Sequence, residues 1–235
     1  MAQQHEEFER PFGQRATYTV MRQVFRLTGI FGYGVRCHGR ENFPQTGGAL
    51  VCANHQSNLD PPLVGMMSNR RMNYLAKKTL FETQPFKWWI EHLDAIPIDR
   101  QGLGLGGIKE TMRRLKRGEI VLMFPEGQRT WDGEMIPLMP GFCAMARRTG
   151  VPLVPVGFDG AFRAWRRGAR VPGFSRIRMV VGQPITRDDY SELDDEAMVG
   201  LLESRMRDCF EQARQHLRAS LRTPCVGSRR QLNPP

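Results

Sequence analysis

A histidine and an aspartate five positions apart are the residues whose types and spacing best suit chemistry. His55 and Asp60 lie in the stretch 54–60, which follows the apolar run 49–53 and precedes two prolines. This pattern predicts a short buried strand, a turn and a helix whose N-cap is Asp60. Because such a turn can fold the carboxylate back onto the imidazole, Asp60 would fix the tautomer of His55 and leave one nitrogen free to accept a proton. The sequence therefore predicts a general base.

Charged and glycine residues at the ends of other apolar runs are predicted to join this base. They are, in chain order, Lys77, Arg100, Glu126, Gly127 and Arg129. In an open parallel sheet the carboxyl ends of the strands meet at one crevice. Arginines there can hold a phosphate through two donors each, and backbone N–H groups around Gly127 can add to the cradle. No serine or cysteine stands out as a nucleophile, so the proton is expected to come from a substrate hydroxyl.

A structural interpretation of these charges stays open beside the functional one. Arg100 and Arg129 could be salt-bridge partners of Asp99 and Glu126 instead of phosphate ligands. Glu126 itself is not expected to bind phosphate, since both groups are anionic. It is expected to orient Arg129 or to accept a hydrogen bond from a substrate hydroxyl.

The segments that must position these residues alternate between strand-like and helix-like patterns. The alternation predicts a single α/β domain with a largely parallel central sheet covered by helices. Strands are expected at 49–53, 72–76, 95–98, 119–124, 151–156 and 176–181, and helices at 61–68, 79–92, 103–117, 140–149 and in a long closing segment that includes 198–221. The segment 158–174, rich in arginine, glycine and aromatic residues, is expected to be a loop. Residues 34–222 would form the catalytic domain and 223–235 a disordered tail.

The segment 1–33 has a separate pattern. After a polar lead, Val20, Val24, Leu27 and Phe31 recur at helical spacing, while Arg15, Arg22 and Arg26 share another face. The pattern predicts a basic amphipathic helix. It fits a helix that lies on an anionic membrane with Phe25 and Phe31 inserted, and equally an ordinary helix whose stripe packs on the core.

The charge, the cysteines and the apolar stretches of the sequence limit the kinds of protein that this chain can be. The chain has 235 residues, 25% of them charged, and a formal net charge of +10, which favours an anionic partner without identifying it. Five cysteines without paired spacing are expected to be reduced thiols. No apolar stretch approaches the roughly 18 residues that span a bilayer, and no signal-peptide pattern is found. The protein is therefore expected in the cytoplasm.

Four segments together resemble the lysophosphatidate (1-acylglycerol-3-phosphate) acyltransferases of the PlsC-like glycerolipid acyltransferase family. They are 54–60, 96–100, 124–130 and 151–155, in the family's order, and the resemblance covers roughly residues 35–185. It implies acyl transfer from an acyl-CoA or acyl-carrier-protein thioester to the free hydroxyl of an acylated glycerol phosphate. The His-x4-Asp residues His55 and Asp60 would be the catalytic pair. Arg100, Glu126, Gly127, Arg129 and Lys77 would bind the acceptor.

The third block departs from the family pattern at two positions. Gln128 and Thr130 stand where the family commonly has threonine and serine. The charged residues are retained, so the departure bears on the acceptor headgroup and not on activity. An acyltransferase for another lysolipid or an amino-linked lipid is the alternative within the same chemistry. A non-enzymatic basic protein that binds anionic membrane or nucleic acid is the alternative from another class, and no nucleic-acid module supports it.

Overall fold

The computed structural model describes residues 12–77, 95–98 and 105–222. Its strands are β1 (Arg36–His38), β2 (Ala49–Ala53), β3 (Met72–Lys77), β4 (Ala95–Ile98), β5 (Ile120–Met123), β6 (Leu153–Asp159) and β7 (Arg178–Val181). Its helices are α1 (Phe12–Tyr33), α2 (Asp60–Gly65), α3 (Leu105–Lys116), α4 (Gly141–Thr149), α5 (Ala161–Ala164), α6 (Arg187–Tyr190) and α7 (Asp195–Arg222), with a 3-10 turn at Arg40–Asn42. The predicted helix 79–92 lies outside the described residues.

One seven-stranded sheet in the order β1-β7-β6-β2-β5-β3-β4 forms the centre of the molecule. All its strand pairs are parallel except β6 with β7. In β2, Val51 lies opposite Leu122 on one side and Val154 on the other. The continuous apolar run that predicted β2 is explained by this position, because a central parallel strand is covered on both faces. The predicted α/β class and largely parallel sheet are confirmed.

Helices cover both faces of the sheet and divide the core into two main clusters. Val51 packs in the cluster that receives side chains from α1, α2 and α5, and its neighbour Leu50 packs in the cluster that receives them from α3, α4 and α7. This is the alternation that a strand imposes. Gly157 of β6 lets α7 approach closely, since a Cβ atom there would lie 2.1 Å from the backbone nitrogen of Phe210.

Helix α1 turns its predicted apolar stripe away from the core. Val20 is 62% exposed and Phe31 is 80% exposed, and Val24 and Leu27 are also exposed. The helix packs instead through Tyr18, Met21 and Phe25. The interpretation that the stripe packs on the core is therefore wrong, and so is the insertion of Phe25 into a membrane. The helix has two apolar faces, and the sequence pattern identified the exposed one.

Other differences from the predicted elements are local. The short edge strand β1 and the one-turn helix α6 were not predicted. The segment expected to be a loop begins with the last two residues of β6 and contains α5. The helix after the His55 turn ends at Gly65 instead of Ser68. Among the described residues, no helix is both long enough and apolar enough to cross a bilayer.

Candidate active site

His55 and Asp60 meet in the turn between β2 and α2. The Nδ1 atom of His55 lies 2.7 Å from Oδ2 of Asp60, which also accepts hydrogen bonds from the backbone N–H groups of Gln56 (2.6 Å) and Ser57 (2.7 Å). The other carboxylate oxygen, Oδ1, is buried and has no hydrogen-bond partner among the described residues. Three donors converge on one oxygen, so the carboxylate fixes both the imidazole and the backbone of the turn.

The predicted N-cap role of Asp60 is wrong. Helix α2 begins at Asp60 itself, Leu59 occupies the N-cap position, and no side chain caps the helix. An N-cap side chain accepts from the second or third residue after it, but Pro62 has no N–H and the N–H of Leu63 donates to the carbonyl of Leu59 at 3.0 Å. The carboxylate therefore turns back to the preceding turn, which removes the conflict between capping α2 and holding His55.

The surroundings of the pair strengthen its hydrogen bond. Asp60 is fully buried, and burial raises the pKa of its carboxyl group against the opposing effect of the bonds from His55, Ser57 and Gln56. A carboxylate with raised proton affinity is a stronger acceptor for the imidazole Nδ1–H. The His55 ring also stacks on Phe124, with centroids 4.0 Å apart and planes at 14°. Since Nδ1 is engaged, Nε2 is the nitrogen that can accept a proton.

The backbone of His55 is held by the turn that follows β5. Its N–H donates to Oε1 of Glu126 at 2.9 Å, and its carbonyl accepts from the N–H of Thr130 at 2.9 Å. The second oxygen of Glu126 accepts from the N–H of Ile136 at 3.3 Å. Burial raises the pKa of Glu126 to about 7. The carboxylate of Glu126 thus accepts from two backbone N–H groups of the site itself, contacts that the sequence did not predict.

Arg129 lies beside the catalytic turn. Its Nη1 atom donates to Oδ1 of Asn58 at 2.7 Å. Gly127 has φ of +71°, and its N–H donates to the carbonyl of Phe124, so this particular N–H is used within the turn. Lys77 is the last residue of β3, at the same sheet edge. Arg100 lies outside the described residues. The structure therefore brings Glu126, Gly127 and Arg129 to His55.

Two polar residues next to His55 were missed by the sequence reasoning. The amide of Asn54 exchanges two hydrogen bonds with the backbone of Phe158. The buried amide of Gln56 donates to the carbonyl of Gly133 at 2.7 Å and accepts from the N–H of Phe162 at 3.2 Å. Their partners are far away in sequence, so only their position in a polar turn after a buried strand could have drawn attention to them.

The site can accept a proton, but its described residues do not form a metal centre. Within residues 12–77, 95–98 and 105–222, no group of three histidine, cysteine, aspartate or glutamate side chains is placed to hold a metal ion. A buried carboxylate, an oriented imidazole and a neighbouring guanidinium thus lie together at the edge of a largely parallel sheet, a combination that can accept a proton beside a positive charge.

Comparisons with known proteins identify the family. Residues 34–159 match the family model described as Acyltransferase, and the chain belongs to this family. The 1-acyl-sn-glycerol-3-phosphate acyltransferase of Bacillus subtilis (strain 168) is 29% identical over 180 residues, which are 74% of this chain and 87% of the relative. The enzyme of the same name from Streptococcus pneumoniae is 28% identical over 191 residues, with coverage of 79% and 69%. The resemblance stated from the four sequence blocks is confirmed.

Longer relatives and a solved structure extend the comparison. The chloroplastic 1-acyl-sn-glycerol-3-phosphate acyltransferase BAT2 of Brassica napus is 28% identical over 177 residues, and this chain spans about half of it (51%). The crystal structure of the 1-acyl-sn-glycerophosphate acyltransferase PlsC from Thermotoga maritima superposes with a TM-score of 0.74 over 87% of this chain and 84% of that chain. At 23% identity, this likeness supports the shared fold.

Proposed function

We propose that this protein transfers a fatty acyl group from a thioester to the free hydroxyl of 1-acylglycerol-3-phosphate and so forms phosphatidic acid. The observation that carries the proposal is the 2.7 Å contact between His55 and the buried carboxylate of Asp60. The names of the relatives support the same acceptor. The thioester donor is acyl-CoA or acyl-carrier protein, and the reaction uses no metal or redox cofactor.

The reaction proceeds by direct attack without an acyl-enzyme. Nε2 of His55 removes the hydroxyl proton, and the hydroxyl oxygen forms a bond to the thioester carbonyl carbon. The tetrahedral intermediate then collapses, and the carbon–sulfur bond breaks. The imidazolium returns the proton to the departing thiolate, so the ester and a free thiol are the products. Asp60 stabilises the imidazolium through the charge-assisted bond to Nδ1.

The acceptor phosphate binds on the side of the catalytic turn that carries Arg129. The bond to Asn58 keeps this guanidinium next to the turn, and a guanidinium has the planar set of N–H donors that matches a phosphate. The family resemblance adds Arg100 and Lys77 to this cation group. Glu126 and Gly127 contribute by shaping the turn, with Glu126 fixing the position of His55 by its bond to the backbone.

The acceptor lipid lies in the membrane, and α1 is the helix that contacts the membrane surface. The exposed face of α1 presents Phe12, Val20, Val24, Leu27 and Phe31. Such a face buries its apolar side chains at the boundary between headgroups and acyl chains of an anionic bilayer. The segment 1–33 is thus a membrane-associating element, and the protein works as a peripheral protein on the cytoplasmic face of the cell membrane. Nucleic acid is not a partner.

Release of thiol from acyl-CoA and acyl-carrier protein, measured with purified protein, tests the proposal. The acceptors are lysophosphatidate and a neutral monoacylglycerol of the same chain. His55→Ala is expected to lower turnover by at least about a hundredfold, as loss of a general base implies, while His216→Ala, a surface histidine on α7, serves as the matched control.

Arg129→Ala is expected to weaken use of lysophosphatidate and to leave the neutral acceptor unaffected. Arg148→Ala, an exposed arginine on α4, controls for the loss of one positive charge. Full turnover by His55→Ala would refute the base. Transfer to another lysolipid in preference to lysophosphatidate would refute the acceptor and leave the chemistry intact.

A further inference from the structure

A closed loop next to the site presents arginines and apolar side chains to solvent. The segment 163–174, here called the arginine loop, begins within α5 and ends shortly before β7. The N–H of Gly173 donates to the carbonyl of Ala164 at 2.6 Å and closes the base of the loop, and the indole N–H of Trp165 donates to the carbonyl of Ala169 at 2.9 Å inside it. The loop is therefore a compact surface feature fixed by its own hydrogen bonds.

The cations of this loop differ in whether an acidic side chain lies near them. Arg163 approaches Asp159 at 4.0 Å. Arg166 and Arg170 are exposed, and in the described part of the chain neither forms an ion pair with an acidic side chain. Arg167 lies over the exposed ring of Trp131 at 4.0 Å from its centroid. This surface has a positive charge that the protein itself leaves uncompensated, so it suits an anionic partner.

Two large apolar side chains accompany these arginines. Val171 is 73% exposed and Phe174 is 85% exposed. Apolar side chains interleaved with arginines match the boundary of a bilayer, where the apolar groups enter the lipid and the guanidinium groups stay with the phosphates. An acidic carrier protein would need the arginines alone and would gain less from the exposed Phe174.

The arginine loop is continuous with the exposed face of α1. The ring of Phe174 stacks on Tyr33, with centroids 6.1 Å apart and planes at 25°. Tyr33 follows Ile30 by three residues, and residues with this spacing are neighbours on a helix surface. Ile30 is itself exposed. The exposed face of α1 therefore extends through Ile30 and Tyr33 to Phe174.

The other end of the arginine loop reaches the catalytic turn. The hydroxyl of Ser57 donates to the carbonyl of Trp165 at 2.9 Å, and the N–H of Ser57 binds Asp60. Trp131, which Arg167 covers, directly follows Thr130, whose N–H binds the carbonyl of His55. The loop thus spans the distance between α1 and the general base.

We propose that the arginine loop is a second membrane-docking element, which binds anionic lipid headgroups through Arg166 and Arg170 and inserts Val171 and Phe174. Together with α1 it seats the His55 turn at the lipid surface, where the acceptor lies. This inference rests on the proposed function for the acceptor, but the binding of lipid by the loop is measurable without any turnover.

Binding of the full-length protein to vesicles of phosphatidylglycerol and phosphatidylcholine, compared with phosphatidylcholine alone, tests the proposal. Arg166→Ala/Arg170→Ala is expected to partition about 30-fold more weakly onto the anionic vesicles, since each arginine near such a surface contributes roughly fivefold. Lys116→Ala/Arg148→Ala removes the same charge from exposed positions on α3 and α4 and is expected to bind almost as the parent does.

Two further variants separate the inserted side chains from α1. Phe174→Ser is expected to weaken binding to both kinds of vesicle, because insertion does not depend on lipid charge. Val24→Ser/Leu27→Ser reports on α1 alone. Turnover on a short-chain acceptor below its micellar concentration, together with thermal unfolding, checks that every variant is folded.

Several outcomes would overturn the inference. Equal vesicle binding by Arg166→Ala/Arg170→Ala and Lys116→Ala/Arg148→Ala would show that binding depends on the net charge of the protein and not on the arginine loop. Loss of binding in the α1 variant alone would leave α1 as the sole membrane element. Unchanged vesicle binding with a raised KM for acyl-carrier protein, but not for acyl-CoA, would make the arginine loop a carrier-protein site. A parent protein that binds lipid but lacks acyl transfer would refute the proposed function and not the docking.

Discussion

Replacement of Asp60 by asparagine removes the negative charge of the carboxylate but keeps an oxygen atom that can accept the same hydrogen bonds. Asp60 receives three hydrogen bonds at one oxygen, two of them from the backbone of Gln56 and Ser57. These N–H groups determine which atom of an asparagine amide faces them, so the amide oxygen takes the place of Oδ2. The imidazole Nδ1–H then keeps its acceptor and the tautomer is retained. The amide nitrogen occupies the place of Oδ1, which accepts no hydrogen bond within the part of the chain that the structure describes.

The expected loss follows from the missing charge. A hydrogen bond to a charged group contributes about 1.5–3 kcal/mol and a neutral one about 1 kcal/mol, and burial of Asp60 increases the difference. A loss of roughly 2–4 kcal/mol in stabilisation of the imidazolium corresponds to about 30- to 1000-fold in turnover. Asp60→Ala would be less informative, because two buried N–H groups left without acceptors would cost about 1–3 kcal/mol each in stability.

Single-turnover and steady-state thiol release measure the effect, with Asp60→Asn compared with the parent, His55→Ala and the double variant. The melting temperature of Asp60→Asn checks that the variant is folded: the neutral amide avoids the cost of burying a carboxylate, but its N–H donors at the place of Oδ1 cost about 1–3 kcal/mol each where they lack an acceptor. If Asp60 acts only through His55, the double variant loses no more than His55→Ala alone. Losses that multiply in the double variant, or a loss below about fivefold in Asp60→Asn, would refute the reasoning.

Two further variants probe the turn that holds His55. Glu126 has a pKa raised by burial from 4.5 to about 7, so the folded state binds its proton more tightly and the parent loses roughly 2–3 kcal/mol of stability as pH rises from 5 to 8. Glu126→Gln cannot lose a proton at this position and therefore lacks this loss. Urea unfolding at pH 5 and at pH 8 should show the free energy of unfolding of Glu126→Gln, relative to the parent, rising by roughly 2–3 kcal/mol between the two pH values. The same difference in stability at both pH values would contradict the raised pKa. Gly127→Ala is expected to destabilise by about 1–2 kcal/mol, because φ is +71° there, whereas the helical control Gly106→Ala should be stabilising or neutral. Equal melting temperatures for the two alanine variants would exclude strain at Gly127.

The contact between His55 and Asp60 was predictable from the sequence, because it depends only on residue types and on a short spacing along the chain. His55 and Asp60 lie within one turn, so the strand-like run before them and the prolines after them were enough to place them together. The same holds for β2 and β5, whose continuous apolar runs reflect burial on both faces. The predicted role of Asp60 as N-cap was wrong because Pro62 has no N–H to donate and the N–H of Leu63 binds the carbonyl of Leu59.

The contacts of Glu126 and Gln56 were not predictable in this way. Glu126 lies 71 positions after His55, and Gln56 binds groups 77 and 106 positions away. The sequence predicts that Glu126 orients Arg129 or accepts from a substrate hydroxyl, but it gives no sign that the carboxylate accepts from the backbone N–H of His55. The orientation of α1 was also not predictable from the sequence, since both of its faces carry apolar residues. Only the packing of Tyr18 and Met21 shows which face is covered.

The order of the strands explains why the turn that carries His55 is held from both sides. β2 lies between β5 and β6, so the turns that follow these two strands flank the turn that carries His55. The turn after β5 supplies Glu126 and Thr130 to the backbone of His55, and the end of β6 binds Asn54. A base that must meet a hydroxyl and a thioester in one geometry needs such support, since small displacements cost large factors in rate. The His-x4-Asp spacing supplies the chemical groups, and the central position of β2 gives them the neighbours that hold them in place.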